Sequence, residues 1–247
     1  MVGASRRGVE PEFDTVGEDY EDELRAGLAT TGETSAYFAR ERMRWLAGRL
    51  AQLGHSPRTV LDYGCGRGTL TPLWFELLAS VERTLGVDVS RRMLESADAH
   101  FGSTRSAFAA IDAASPDHSF DLAYVNGVFH HIPPNERRDA AAYVRDSLRP
   151  GGLFAFWENN PWNPGTRYVM SRISFDRGAV TISAPEARRL LQLAGFEVLG
   201  TDFLFIFPHF LRALRPIEPL LARAPLGGQY LVLARRPVAG GLSALNA

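Results

Sequence analysis

The chain predicts an α/β domain: a mostly parallel central sheet, helices on its faces, and a ligand at the carboxyl end of the first strand. Three observations carry that expectation. An apolar run at 59–61 ends in Asp62, and a turn with glycine at every second position follows, Gly64-Cys65-Gly66-Arg67-Gly68. Leu70, Leu73, Trp74, Leu77, Leu78 and Val81 then recur at helical spacing, so the segment reads strand, tight turn, helix. A second apolar run ends in another acid, Asp88, at about the twenty-residue distance that suits a ribose-binding carboxylate. Glycines in such a turn let the backbone reach positive φ and let a ligand lie on the main chain, beside the unpaired N–H groups of a helix start.

Composition bounds the rest. The 247 residues are 45% hydrophobic, enough for one large domain or a domain with a small cap. The net charge is -1 with acids and bases interspersed, so no nucleic-acid partner is expected. All 27 basic residues are arginine. Without lysine there is no Schiff base, no P-loop lysine and no lysine general base. The arginine, alanine and glycine bias suits a GC-rich bacterial genome. Cys65 is the single cysteine, so no intrachain disulfide forms and a reducing compartment is expected. Inside the glycine turn, with no base near it in sequence, Cys65 reads as a small packing residue. No leader pattern opens the chain and no apolar run reaches spanning length, which leads to the expectation of a cytoplasmic protein with no integral membrane segment.

Taken in order, residues 1–17 are polar without periodicity and read as a flexible arm. An acidic stretch at 18–24, containing Tyr20, reads as a short helix. Thr34 or Ser35 caps the next helix, whose inner face carries Phe38, Arg42, Trp45, Leu46, Arg49, Leu50 and Leu53, and Gly54 stops it. After the glycine turn and its helix, 84–89 is a second strand, and Ser90 caps a helix through Met93, Leu94 and Ala97. A third strand at 107–111 runs into Asp112-Ala113, and a turn at 115–119 exposes His118. The fourth strand, 119–125, leads into Asn126-Gly127-Val128-Phe129-His130-His131-Ile132-Pro133-Pro134, at the switch in strand order where ligands bind. A helix at 136–148 and the turn Leu148-Arg149-Pro150-Gly151-Gly152 precede a fifth strand, 153–157. Beyond it come Glu158-Asn159-Asn160-Pro161 at the site's edge, an insertion at 164–182, a helix at 185–193 and a strand at 196–207. An extra helical segment, about 209–224, separates that strand from a last one at 229–234, with a tail over 238–247.

Four of these features, in this order, resemble the class I S-adenosylmethionine (SAM)-dependent methyltransferases of the bacterial small-molecule type. They are Asp62 with Gly64-x-Gly66-x-Gly68, Phe120-Asp121-Leu122 at the fourth strand, the histidine-proline loop, and Leu148-Arg149-Pro150-Gly151-Gly152. Thr69 stands where a dinucleotide fingerprint wants its last glycine, which argues against a nicotinamide dehydrogenase. The resemblance implies a Rossmann-like class I methyltransferase sheet, mostly parallel with the last strand antiparallel. It implies an N-terminal helical lid at 18–54 and a methyltransferase domain at 55–237 with insertions at about 160–182 and 208–226, the second a helical insertion before the last strand. It implies SAM as cofactor, leaving as S-adenosylhomocysteine. Tyr20, Tyr37 and Arg42 would reach SAM from the lid, and Asp62, Gly64, Cys65, Gly66 and Gly68 from the turn. Asp88 would take the ribose, Val89 and Met93 the adenine face, Asp112 and Ala113 the adenine edge, and Asn126, Gly127 and Val128 the methionine part.

The activity so implied is methyl transfer to an O, N or C atom of a small, hydrophobic or secondary-metabolite acceptor, by a monomer or homodimer. His131, then His130, then Glu158 are the candidates for the base that removes an acceptor proton. His130-His131 lacks the i, i+4 partner of a helical metal pair, and no metal is expected. The Glu-Asn-Asn-Pro stretch resembles a Glu-His-Asn-Pro stretch in some bacterial methyltransferases, with Asn159 replacing the histidine, so that histidine's role is not carried over. A SAM-binding protein running a non-methylating reaction is the alternative. So is a nucleic-acid or protein methyltransferase, although the chain lacks both a basic groove and the Asn/Asp-Pro-Pro-aromatic tetrad. The phenylalanines of 203–211, with Leu214 and Trp162, are expected to wall the acceptor pocket.

Overall fold

Seven apolar runs pair into one sheet in the computed structural model, which describes residues 20–176 and 178–238, with the side chains of 20–22 and 24 excepted. The expected arm at 1–17 and all but the first residue of the tail lie outside the described residues. The strands are β1 (Thr59–Tyr63), β2 (Arg83–Asp88), β3 (Ser106–Ala110), β4 (Phe120–Asn126), β5 (Leu148–Asn159), β6 (Glu197–Leu204) and β7 (Gln229–Arg235). Their order is β3-β2-β1-β4-β5-β7-β6. The pairs from β3 to β5 are parallel, and β7 runs antiparallel to both β5 and β6. The order reverses between β1 and β4, which opens a crevice at their carboxyl ends.

Alternate residues of each strand feed two apolar layers. Leu61, Tyr63, Val125, Phe156 and Val232 face α5 (Arg137–Ser147) and α7 (Ala184–Leu193) through Ala141, Val144, Ala187 and Leu191. Val60, Tyr124, Trp157 and Leu231 face α2 (Ser35–Gln52) and α3 (Thr71–Leu77) through Met43, Leu46, Leu50 and Trp74. A short helix, α1 (Tyr20–Leu28), precedes α2, and α4 (Arg91–Phe101) lies along β2 and β3. Thr34 begins α2: its side chain accepts the N–H of Tyr37 at 3.2 Å. Met43, Leu46 and Leu50 are at most 1% exposed, so the inner face of α2 packs as a layer of the core. Each such side chain contributes about 1.5–3 kcal/mol of burial.

Several boundaries differ from the sequence reading, three of them with a clear physical cause. The helix after the glycine turn ends at Leu77, because Leu78 closes it and the chain turns back through Val81 into β2. Leu78 and Val81 are buried all the same, so apolar spacing continued through a turn. At the other end, β5 begins at Leu148, ahead of the expected turn. Leu148 pairs with Phe120 and Leu153 with Leu122, and the residues between form a bulge. A Cβ on Gly152 would lie 2.9 Å from the Arg149 carbonyl oxygen, and Gly151 sits at φ 82, so both glycines serve the bulge. Finally, β6 stops at Leu204, where Phe205 takes φ 65 and turns the chain. The expected insertions follow: α6 (Pro164–Ser171) after β5, and a 3-10 turn at His209–Ile217 with α8 (Glu218–Leu221) before β7.

Candidate active site

A cavity of about 1820 Å³ opens where β1, β2 and β4 end. The glycine turn forms its floor. Gly64 and Cys65 both donate to the Val87 carbonyl, at 2.7 and 3.1 Å, which ties the turn to β2. Asp88 finishes the tie, accepting the N–H of Gly66 on one carboxylate oxygen and that of Ser90 on the other, each at 2.9 Å. Gly64 and Gly66 hold φ 75 and 51. A Cβ on Gly64 would strike Val128 at 2.4 Å, whereas one on Gly66 would meet only Met93 Sδ, at 3.7 Å. Gly66 therefore presents open space to the cavity, and Gly64 secures the contact between the turn and the β4 loop.

Val89, Met93 and Ile111 form an apolar slot beside Asp88, and Asn126, Gly127 and Val128 form the opposite edge. The Asn126 side-chain oxygen is buried with no hydrogen-bond donor among the described residues. Burial pushes the Asp62 carboxyl up to about 7, with the neighbouring Trp74 indole N–H, which makes no well-aligned hydrogen bond, opposing and Asp88 adding to the rise. These groups suit a nucleoside that carries an ammonium: acceptors for a diol, a slot for a flat base, and the donorless Asn126 oxygen with the Asp62 carboxyl. Arg42 and Tyr37 line the cavity from α2. Arg42 is fixed there by Tyr124 Oη at 3.2 Å and Gln229 Oε1 at 2.9 Å. The Arg215 guanidinium lies over the Tyr37 ring, 4.7 Å from its centre. Tyr20 falls in α1, and its side chain lies outside the described residues.

Three expected cofactor contacts do not reach the wall. Asp112 is largely exposed and pairs with Arg91 at 3.2 Å, and Ala113 is exposed beside it; Ile111 lines the cavity instead. Gly68 faces Phe108 and Ala97, where a Cβ would approach to 2.9 and 3.1 Å, so it packs the turn against β3 and α4. Cys65 borders the cavity, but its sulfur lies against Gly86 and burial raises its thiol far above the usual range, so it carries no nucleophile.

Beyond Gly127 lies a compact polar cluster. Glu158 accepts the N–H groups of Phe129 (2.8 Å), His130 (3.3 Å) and Asn159 (3.2 Å), and its Oε2 lies 2.6 Å from His130 Nδ1. On the other side, Asp176 Oδ1 lies 3.4 Å from both His130 Nε2 and His131 Nε2. Burial alone would lower the His130 pKa, but Glu158 and Asp176 outweigh it and raise it to about 10. Burial likewise works against an ionised Asp176, and its hydrogen bonds to the two histidines still hold it below its ordinary value. An imidazole kept protonated is no base, which removes His130 as a proton acceptor. Glu158 is removed as well: it is 1% exposed, its oxygens are occupied, and it sits behind His130 rather than in the wall. His131 does line the cavity. Asp176 is the residue that sequence reasoning missed, since it belongs to an insertion with no periodicity or spacing linking it to the histidines.

The far wall is partly as expected. Phe205, Phe207 and Phe210 line the cavity, whereas Phe203 is buried in the core. Leu214 and Trp162 do not reach it, and Trp162 borders a separate shallow groove with Phe203 and Pro225. No helix among the described residues is long and apolar enough to cross a membrane.

Comparison with known proteins agrees with this geometry. Residues 60–152 match a family model described as a methyltransferase domain. The trans-aconitate 2-methyltransferase of Methylobacterium radiotolerans is 37% identical over 121 residues, 48% of this chain and 45% of that protein. The chain spans about half the length of the curated relatives it matches. A Burkholderia thailandensis 1,6-didemethyltoxoflavin-N1-methyltransferase, solved with 1,6-didemethyltoxoflavin and S-adenosylhomocysteine bound, superposes with a TM-score of 0.55 at 22% identity, covering 89% of each chain. The [4+2]-cyclase SpnF superposes at 0.59 with 19% identity, over 94% of this chain and 98% of its own. Those two likenesses establish shared architecture. Taken with the glycine turn, the Asp88 tie and the strand order, they lead to one conclusion: residues 60–152 match a methyltransferase domain, and the chain has the Rossmann-like sheet of the class I SAM-dependent methyltransferases.

Proposed function

We propose that the protein transfers a methyl group from SAM to a small acceptor that is held on an apolar wall and surrenders a proton beside His131. One observation carries the reading: a single cavity runs from Gly66 and Asp88 to His131 and on to Phe205, Phe207 and Phe210. Bound SAM supplies an electrophilic methyl carbon, to which an acceptor lone pair bonds as the carbon–sulfur bond breaks and its electron pair returns to sulfur. The chain's part is alignment, exclusion of water and proton removal. Asp88 accepts the ribose hydroxyls, Val89, Met93 and Ile111 hold the adenine, and Asp62 with Asn126 takes the ammonium. Tyr37 and Arg42 close over the cofactor. His131 takes the acceptor's proton, and Asp176 steadies the charge that forms on it. The phenylalanine wall favours an aromatic or otherwise hydrophobic acceptor. The arginine, alanine and glycine bias and the single cysteine support a cytoplasmic bacterial enzyme, a monomer or homodimer in this reading, and the interspersed charges favour small molecules over nucleic acid.

The test is incubation with methyl-labelled SAM and a panel of small aromatic alcohols, amines and carboxylic acids. Label on an acceptor, weakened through KM by Phe207→Ala and through kcat by His131→Ala, is expected. Tight SAM binding without label transfer to any acceptor, in the panel or in a cell extract, overturns the reading in favour of a non-methylating reaction.

A further inference from the structure

The cluster beyond Gly127 has more donors than a lone base needs. One nitrogen from each of His130 and His131 and one oxygen of Asp176 lie within 4.8 Å of one another. Two of the separations are 3.4 Å, which is about the edge of a tetrahedron whose corners lie 2.0–2.1 Å from a zinc-sized ion. Behind His130, Glu158 lies 2.6 Å from Nδ1. That contact fixes the other ring nitrogen toward Asp176, as a carboxylate does behind a metal-bound histidine. With Nδ1–H turned to Glu158, a neutral His130 would set the Nε2 lone pair against an Asp176 oxygen. An imidazolium relieves that opposition with its Nε2 proton, and a bound cation would relieve it in that proton's place.

The three donors are held before any ion arrives. The His130 carbonyl accepts the N–H of Val180 at 2.9 Å, which pins the insertion to the histidine loop. Arg137 clamps both sides, donating to the Ile132 carbonyl at 3.0 Å and to the Val180 carbonyl. His131, Asp176 and His130 all border the cavity, and a Cβ on Gly127 would lie 3.5 Å from His130 Cε1. An ion here would have open coordination positions next to the loop that borders the cofactor region.

We propose that His130, His131 and Asp176 form a two-histidine, one-carboxylate site for a divalent first-row transition metal, with Glu158 as the residue that orients His130. Two nitrogens and one carboxylate suit zinc, iron, cobalt or manganese better than magnesium or calcium, which prefer all-oxygen sets. The open positions face the cavity and take an oxygen of the acceptor. This rests on the methyl-transfer reading for that consequence and reassigns one role within it: His131 is then a ligand in place of the base, and the proton of an acceptor hydroxyl is released to water on coordination. Metal binding itself stands apart from that reading.

The experiment uses the full chain, stripped with chelator and titrated with Co²⁺, whose visible bands report donor set and geometry, and separately with Zn²⁺ by calorimetry. One equivalent binding at micromolar affinity or tighter is expected. Asp176→Asn and His131→Ala should each weaken it about 100-fold or more, and Glu158→Gln by about 10- to 100-fold. SAM affinity, measured on every variant, reports whether the fold is intact, and His131→Ala removes a side chain outside the apolar core. The proposal is overturned if the wild type takes up neither ion at one equivalent, or if folded Asp176→Asn and His131→Ala bind as the wild type does. Metal uptake with no SAM binding by the wild type would instead sink the methyltransferase reading and leave the metal site standing.

Discussion

Glu158 Oε2 lies 2.6 Å from His130 Nδ1, and neither side chain is more than 3% exposed. Two further N–H groups, of Phe129 and His130, end on the other Glu158 oxygen. The loop after β4 is therefore built around one buried carboxylate. Removing it leaves His130 Nδ1 and three backbone donors, the N–H groups of Phe129, His130 and Asn159, without that acceptor. Glu158→Ala should cost about 3–5 kcal/mol in urea unfolding, with Glu158→Gln recovering part of that loss. A cost under about 1 kcal/mol would show that the loop holds its shape by packing alone.

Asp88 ties the glycine turn to β2, and in the proposed function it also takes the ribose; substitution separates the two duties. Asp88→Asn keeps one acceptor oxygen for the turn but weakens the grip on a ribose diol. SAM affinity should fall about tenfold or more in calorimetry, while Asp88→Ala should lose about thirtyfold and lower the melting temperature as well. Unchanged affinity in both would remove Asp88 from the cofactor site.

Gly64 and Gly66 should respond in opposite ways. Gly64→Ala drives a Cβ to 2.4 Å from Val128, so its loss should appear chiefly as instability. Gly66→Ala meets only Met93 Sδ at 3.7 Å. It should remain folded at a cost of about 1–2 kcal/mol for the left-handed backbone, and it should lose SAM affinity out of proportion. Equal effects on stability and binding for both variants would contradict the geometry of the turn.

Asp62 gives a pH signature. Its carboxyl is raised from 3.8 to about 7 by burial, so the fold favours the protonated form. That contribution to stability is complete below pH 4 and disappears as pH rises through about 7. The cofactor-free wild type should lose on the order of 2–4 kcal/mol relative to Asp62→Asn across that window. SAM affinity should move the other way, rising by up to about tenfold per pH unit below 7 as the carboxylate forms to meet the ammonium. Parallel pH profiles for wild type and Asp62→Asn would show that Asp62 does not titrate in this range.

Much of the fold was legible because it is local. A glycine turn between an apolar run and a helical face, Ser90 before Met93, and acids closing two neighbouring strands each declare themselves within a few residues. The same locality misled where apolar spacing outlived its element: Leu78 and Val81 fit a helix and are buried in a turn. The cavity wall was legible where Asp62, Gly66, Asp88 and Asn126 come from strand ends and turns that a parallel sheet must bring together. It was illegible where contacts are made by insertions. Nothing near Asp176 announces that it faces two histidines, and nothing near Asp112 announces that it turns outward to Arg91.

The strand order also constrains how the polypeptide matures on the ribosome. β7 lies between β5 and β6 although it is made after both. Arg42, near the start of the described chain, donates a hydrogen bond to Gln229 Oε1, 187 residues later. Until that final strand emerges, β6 has no neighbour, α2 lacks Leu231 and Leu233 beneath it, and the cavity wall at Arg42 stays unfinished. A nascent chain halted before 229 would thus display an open sheet edge and an uncovered apolar helix, a natural target for chaperones, and would complete the cavity wall only once β7 is made.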